Sequence, residues 1–545
     1  MTARTLLSFV FVSLAAALAQ PVLAAPSSSK SCREAWGGRD LAKFDWENDR
    51  VTSKEGNIGY AKYRARLTKA GIDRQKCLKD WTILVYMAGD NDLSPYALWD
   101  IDEMEGRFES GRYAGSTLKT DVIAQLDTAG PTGLRRLHIF QREDLPYQPA
   151  LSVKEYSQRV PQEIASPIVK LIPEPNRQSP RERLQEFLEW GVKEYPAENY
   201  MVIVWGHGQG WTAGTIETAK TSNSPLAETV RSLSVLPSPS PGRYGGIMAN
   251  PASGESLSIP DLREALRAAS EKLASNAIGA KRFAVYASDA CLMQMSEVAF
   301  EIAPFARFIS GSAQVQTYLG LPYRRVLYEL NTGRFLSLAG SVGKSDEALL
   351  MAKMLPVLSE KSLDPVTGLQ GRADPEARKT FSMSSLSSDA LISDLAPAAQ
   401  GFSKALQAYL TEDFFRAADL SFVVKGAPSF MGGGKEFGSF LSLIEIARVT
   451  ETEKTRRETK ASKALAAAIQ KTKLALDKTV IERRFGTDYQ SGNIQFHLLG
   501  YRGLGVWIPN GAAEFRERSS DFALSSWEKQ TGWQSWLKPA LGIKP

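Results

Sequence analysis

The 545 residues include only three histidines and three cysteines, so chemistry that needs an imidazole or a thiol is confined to few places. The imidazoles are His138, His207 and His497, and the thiols are Cys32, Cys77 and Cys291. Tyr200 to Trp205 is a near-continuous apolar run of the kind that forms a strand buried on both faces, and it delivers Gly206-His207-Gly208-Gln209-Gly210. Phe283 to Tyr286 is a second such run and delivers Ala287-Ser288-Asp289-Ala290-Cys291. In an open α/β sheet, ligands bind beyond the carboxyl ends of the strands. A thiol and an imidazole at two such ends are the minimum set for thiolate catalysis, in which the imidazole takes the thiol proton and the thiolate attacks a carbonyl. The helical pattern over Leu292 to Ile302 predicts that Cys291 sits at a helix N-terminus, where the dipole lowers a thiol pKa. The amides of Gly208 and Cys291 are candidates for holding an oxyanion. Asp289 is the candidate selector of a basic substrate side chain, and the alternative reading is a cap for the helix near Cys291.

The elements that must position these residues follow from the apolar pattern. Trp81 to Met87, Asp121 to Leu126, Tyr200 to Trp205, Phe283 to Tyr286 and Phe305 to Ile309 read as strands. Helical patterns lie between them at Pro180 to Tyr195, Ile259 to Leu273 and Leu292 to Ile302. This alternation predicts an α/β fold with a mainly parallel sheet covered on both faces. The core is expected over residues 80–330, followed by an α+β C-terminal region, 331–545, which is either an appended lobe or an extension of the same sheet. Ser388 to Tyr409 and Thr455 to Lys478 read as helices there, and Gly503 to Pro509 as a strand. Lys220 to Gly246 is rich in Ser, Pro and Gly and reads as an exposed loop, and 360–380 as a more charged one.

Composition narrows the function classes. A chain with 43% hydrophobic and 23% charged residues is ordinary globular protein. The 66 Lys and Arg against 60 Asp and Glu leave +6 with no basic run, which does not favour nucleic acid as a partner. Residues 1–24 have the three parts of a secretory signal peptide: a basic start, an apolar stretch from Leu6 to Leu18, and small residues at Ala24 and Ala25. Residues 25–79 read as a polar leader or pro-segment. No later apolar run is long enough to span a bilayer. An exported protein, periplasmic or secreted, is expected, in which Cys32 and Cys77 could pair and leave Cys291 alone.

Trp81 to Asp92 with Ile101-Asp102-Glu103-Met104, the Trp205-Gly206-His207-Gly208 segment, and Asp289-Ala290-Cys291-Leu292-Met293 resemble the motifs of the clostripain-like cysteine peptidases, family C11 of the caspase-like clan. The resemblance covers residues 80–330 and, more faintly, Gly503 to Pro509. It implies a caspase-like α/β/α sandwich, with His207 as catalytic base and Cys291 as nucleophile. It also implies cleavage after basic residues, maturation by self-cleavage and a possible use of calcium. One departure stands out: where the family pattern has acidic residues after the next strand, this chain has Ser310-Gly311-Ser312-Ala313-Gln314-Val315-Gln316.

Other signals are weaker. Gly340 to Ser345 lacks the first glycine and the leading strand of a phosphate loop. Asp90-Asn91-Asp92 reads as a turn more readily than as a calcium site. His138 and His497 lie in alternating strand-like contexts, and neither HExxH nor GxSxG occurs. The residues together with the resemblance imply an exported cysteine endopeptidase acting on protein or peptide substrates after Arg or Lys, with no metal assigned. Loop cleavage near Lys220, Arg231 or Arg243 is expected to activate it. The rivals are a non-catalytic binding protein on the same fold and a thiol amidohydrolase acting on non-peptide amides.

Overall fold

Strands that are apolar on every residue have no face to offer water, so they must be roofed on both sides. In the computed structural model, which describes residues 79–543, they form the middle of one nine-stranded sheet. The stretches 107–113, 142–150, 173–177, 212–244, 274–280, 334–345, 413–419 and 487–499, and scattered gaps of one to three residues, lie outside the description. The expected signal peptide and leader, Cys32, Cys77, His497, most of the Lys220–Gly246 segment and the Gly340–Ser345 segment fall among these undescribed residues.

The strands in chain order are β1 (Lys79–Gly89), β2 (Thr120–Thr128), β3 (Leu134–His138), β4 (Ile168–Ile172), β5 (Ala197–Trp205), β6 (His207–Gly210), β7 (Gly246–Asn250), β8 (Glu255–Leu257), β9 (Phe283–Asp289), β10 (Ala306–Gly311), β11 (Ser382–Ser387), β12 (Gly434–Glu436), β13 (Val480–Phe485) and β14 (Gly505–Trp507). The large sheet runs β13-β11-β10-β9-β5-β1-β2-β3-β4. Its five central strands, β10 to β2, are parallel, and each edge is finished by two antiparallel strands. β11 and β13 come from the C-terminal region, so that region extends the same sheet.

Alternation along β1 divides the core in two. Leu84 and Tyr86 pack on one face with Val202, Val204 and Tyr286, while Trp81, Ile83, Val85 and Met87 pack on the other with Met201, Ile203 and Val285. Helices α1 (Ser94–Met104), α2 (Pro180–Glu194), α3 (Ile259–Ser270), α4 (Ser296–Ile302), α5 (Tyr323–Thr332), α6 (Glu347–Ser362), α7 (Ala396–Thr411), α8 (Phe437–Thr455) and α9 (Lys460–Thr479) supply the two outer layers. The result is the expected α/β/α sandwich. Ser179 starts α2 through a reciprocal capping box with Glu182, and Ser258 caps α3 just ahead of Pro260.

Two expectations need correction. Residues 360–380 are not one loop: α6 runs to Ser362, and Leu369–Ala373 and Ala377–Thr380 are helical. The helix after Cys291 begins only at Ser296. Leu292 takes a left-handed φ of 63°, and the N–H groups of Leu292 and Gln294 donate to the carbonyls of Gln314 (3.2 Å) and Ser312 (3.0 Å). A backbone captured by a neighbouring segment cannot close a helical turn on itself, so Cys291 gains no helix dipole.

The C-terminal region also grips the segment after Cys291. Met295 bridges to Gly505, Gly505 N–H donates to Gln294 O at 2.8 Å, and Trp507 N–H donates to the fully buried Glu297 Oε1 at 2.8 Å. Burial pushes the Glu297 carboxyl up to about 7, and its Oε2 has no hydrogen-bond partner among the described residues. Because the folded acid holds its proton to higher pH than the unfolded one, its contribution to stability is full below about pH 4.5 and fades as pH rises towards 7. Glu297→Gln, which keeps the acceptor, is expected to fold and to flatten that part of the profile of melting temperature against pH. Glu297→Ala orphans the Trp507 amide and is expected to cost about 1–3 kcal/mol, read by denaturant unfolding at pH 6.

Candidate active site

Register brings the two candidate reactive residues together. Trp205 on β5 pairs with Asp289 on the parallel neighbour β9, and Gly206 N–H donates to Asp289 O at 3.2 Å. His207 and Cys291, each two residues further on, therefore leave adjacent strands side by side. Gly206, at φ +145°, turns the chain out of β5 into β6, which pairs antiparallel with β7. At Gly208 the approach is so close that a Cβ would lie 2.2 Å from Cys291 O and 3.0 Å from Cys291 N. Only a residue without a side chain fits there, and the two candidate oxyanion residues are thereby held against each other.

His207 is 1% exposed, and its Nε2 donates to Asp92 Oδ1 at 2.8 Å. Burial works to raise the Asp92 carboxyl, but the hydrogen bond and charge of His207 outweigh it and hold that carboxyl below its usual value. A proton kept on Nε2 leaves Nδ1 as the basic nitrogen of the neutral ring. In the sequence Asp92 closes the Trp81–Asp92 segment of the family resemblance and reads as part of a turn with no role of its own, 115 positions from His207. Its neighbour Asn91 does form the turn, accepting from Leu93 N–H at 2.8 Å. The signal open to the sequence was an acid just past the end of the strand beside β5. His138 is a packed core imidazole, fully buried with Nε2 2.9 Å from Asp121 Oδ1.

Cys291 is buried and its sulfur accepts one backbone N–H, from Gln316 at 3.3 Å. Burial pushes the thiol up to about 11, the Gln316 N–H works against that, and the nearby Asp289 carboxylate adds to it. Asp289, 4% exposed, accepts from Gln316 Nε2 (2.7 Å), Leu321 N–H (3.0 Å) and Tyr323 O–H (2.7 Å). Burial holds its carboxyl above the usual range despite the donors from Leu321 and Tyr323. It is not a cap for α4, which starts seven residues later. Beneath it, Asp100 Oδ2 accepts Trp205 Nε1 at 2.7 Å, and burial, Asp289 and Glu103 all raise Asp100.

The clostripain family model, C11, matches residues 85–223 and 249–344, which carry both strand ends together with Asp92, His207, Asp289, Cys291 and Gln316. Over those two stretches the chain is clostripain-like. With this clostripain-like region the chain is a cysteine-type endopeptidase. Solved structures resembling this clostripain-like chain include an inactive zymogen C11 protease from Parabacteroides distasonis, with 16% identity, TM-score 0.49, 83% of this chain covered and 98% of that one. Another is a secreted C11 cysteine protease from Bacteroides thetaiotaomicron in complex with an irreversible peptide inhibitor, with 16% identity, TM-score 0.46, 84% of this chain and 99% of that one. No curated protein matches. The calcium that the family resemblance allows finds no group of three or more His, Cys, Asp or Glu side chains fit to hold a metal among the described residues.

A thiol pushed to about 11 carries little thiolate at neutral pH until a base takes its proton. The rate of iodoacetamide labelling of Cys291 in the single-chain protein is therefore expected to climb about tenfold per pH unit from 7 to 10. A plateau below pH 8 would show a preformed ion pair instead.

Proposed function

We propose that this clostripain-like chain cleaves peptide bonds after Arg or Lys through a dyad of Cys291 and His207. The observation that carries the reading is the shared register of β5 and β9, which sends both residues off the sheet together. Nδ1 of His207, its ring oriented by Asp92, takes the thiol proton, and the thiolate adds to the scissile carbonyl. The oxyanion that forms accepts from the amides of Gly208 and Cys291. The imidazolium then returns its proton to the leaving amine as the C–N bond breaks, leaving a thioester that water, deprotonated by the same nitrogen, hydrolyses. Asp289 supplies the charge that a basic side chain seeks, from a site two residues before the nucleophile.

Export to the periplasm or beyond is part of the reading and rests on the signal-like residues 1–24. No helix among the described residues is long and apolar enough to cross a membrane. Self-processing is also part of it, because Lys220, Arg231 and Arg243 lie between the two candidate residues in chain order.

Short fluorogenic peptides ending in Arg, Lys, Asp or Leu test the dyad. Wild type is expected to cleave after Arg or Lys under reducing conditions, Cys291→Ala to show background only, and Asp92→Asn to lose about tenfold or more in kcat. Cleavage confined to Asp or Leu would remove Asp289 as selector, and equal rates for wild type and Cys291→Ala would sink the dyad. Prolonged incubation of the purified protein tests the cut: wild type should resolve into two chains and Cys291→Ala should stay single. If both stay single, self-processing is wrong.

A further inference from the structure

A second concave site lies on the face of the sheet that α1, α5 and α6 cover. It is a cavity of about 580 Å³, walled by the ends of α1 and α6, the start of α5 and the short helix Leu369–Ala373. Five cationic side chains line it: Arg324, Arg325, Lys361, Arg372 and Arg378. Arg324 is only 5% exposed, whereas Lys361 and Arg372 are exposed and make no ion pair among the described residues. The four acids on the walls cancel less charge than their number suggests. Glu360 is paired with Arg484 on β13 at 3.0 Å, and Asp364 with Arg378 at 3.6 Å. Burial pushes the Glu103 carboxyl up to about 8, so at neutral pH it is mostly uncharged. The fourth, Glu329, has a buried Oε2 with no hydrogen-bond partner among the described residues. A lining acceptor in that state is satisfied when a bound molecule brings a hydroxyl or a protonated phosphate oxygen.

We propose that this cavity is a regulatory site for a small anion carrying two or more carboxylate or phosphate groups, and that the bound anion promotes peptide cleavage. Guanidinium forks grip carboxylate and phosphate alike, and several cations around one cavity reward several anionic groups on one ligand. The route to the active site is short. The helix that carries Arg372 also carries the buried Gln370, whose Nε2 donates to Leu319 O at 2.8 Å and Gly320 O at 2.7 Å. The next residues form a partition: Pro322 lines the cavity, while Leu321 N–H and Tyr323 O–H donate to Asp289 on the other side. A ligand held by Arg372 therefore fixes the helix that braces this partition, and Asp289 with it. The regulatory half of the proposal rests on the reading of Asp289 as part of the substrate site. Such coupling is reciprocal, so bound substrate tightens the anion by the same factor.

Binding is measured by calorimetry on purified full-length Cys291→Ala, which removes self-cleavage, with citrate, inorganic pyrophosphate or acetate in low-salt buffer. Citrate or pyrophosphate is expected to bind at one site per chain, about tenfold or more tighter than acetate. Adding Lys361→Gln and Arg372→Gln, at two exposed positions whose loss should leave the fold intact, is expected to weaken that binding about tenfold or more. Tighter citrate marks a carboxylate ligand, and tighter pyrophosphate a phosphate one. Binding no tighter than that of acetate, or unchanged by the two substitutions, overturns the site. With Cys291 in place, kcat/KM on a fluorogenic peptide is expected to rise about fivefold or more at saturating anion. The rise should vanish with Lys361→Gln and Arg372→Gln, which separates it from chelation of a metal by the anion. Binding with no rise, or with a fall, overturns the regulatory role. Failure to cleave after Arg or Lys strikes the proposed specificity and the regulatory role that rests on it, while the calorimetry still decides the site.

Discussion

The in-register ending of β5 and β9 is the constraint on which the site depends. Parallel neighbours carry side chains forward in step, so pairing Trp205 with Asp289 fixes the offset of His207 from Cys291 to within a residue. A slip of one position would turn one strand's side chains to the other face of the sheet and part the two residues. The register is secured by burial on both faces, where Met201, Ile203 and Val285 belong to one core and Val202, Val204 and Tyr286 to the other. Gly208 then turns neighbouring strand ends into a contact, because the missing side chain lets β6 lie against the Cys291 peptide.

Around that contact the electrostatics favour neutral groups. Cys291 and Asp289 are both buried and both held towards their protonated forms, with Asp100 and Glu103 beneath them raised by the same cause. Asp92, half exposed at the rim, is pulled the other way and held as a carboxylate by its partner His207. Low dielectric strengthens every hydrogen bond made inside, and it makes each unmet one expensive. The donors gathered on Asp289 and the Gln316 N–H on the sulfur belong to this regime.

What could be seen in the sequence was local. The five central strands, α2 and α3 announce themselves by apolar runs and by Ser179 and Ser258 at their starts, because burial on both faces and capping leave marks on consecutive residues. His207 and Cys291 were legible as strand-end residues, and the clostripain resemblance agreed with them. The outer strands β11 and β13 carry little apolar signal: Ser382–Ser387 is mostly serine, and Val480–Phe485 is interrupted by Glu482, Arg483 and Arg484. The helix expected from Leu292 fails because Leu292, Met293, Met295 and Val298 have helical spacing, yet the N–H groups of Leu292 and Gln294 are taken by the carbonyls of Gln314 and Ser312. The bond from Asp92 to His207 and the two bonds of Gln316 join residues far apart in the chain, and no spacing rule reports them.

The order of strands in the sheet has a consequence for a chain broken between β6 and β7. The N-terminal piece would own β1 to β6 and the C-terminal piece β7 to β14, with β5 still laddered to β9 across the break and Trp211 still packed 4.9 Å from both Trp507 and Phe522. The two pieces would stay together as a heterodimer whose shared interface is the centre of the sheet. Once unfolded, such a molecule could regain its sheet only by a bimolecular encounter, so its recovery would depend on concentration. A single cut would thus convert a protein able to refold on its own into one that persists by the slowness of its unfolding.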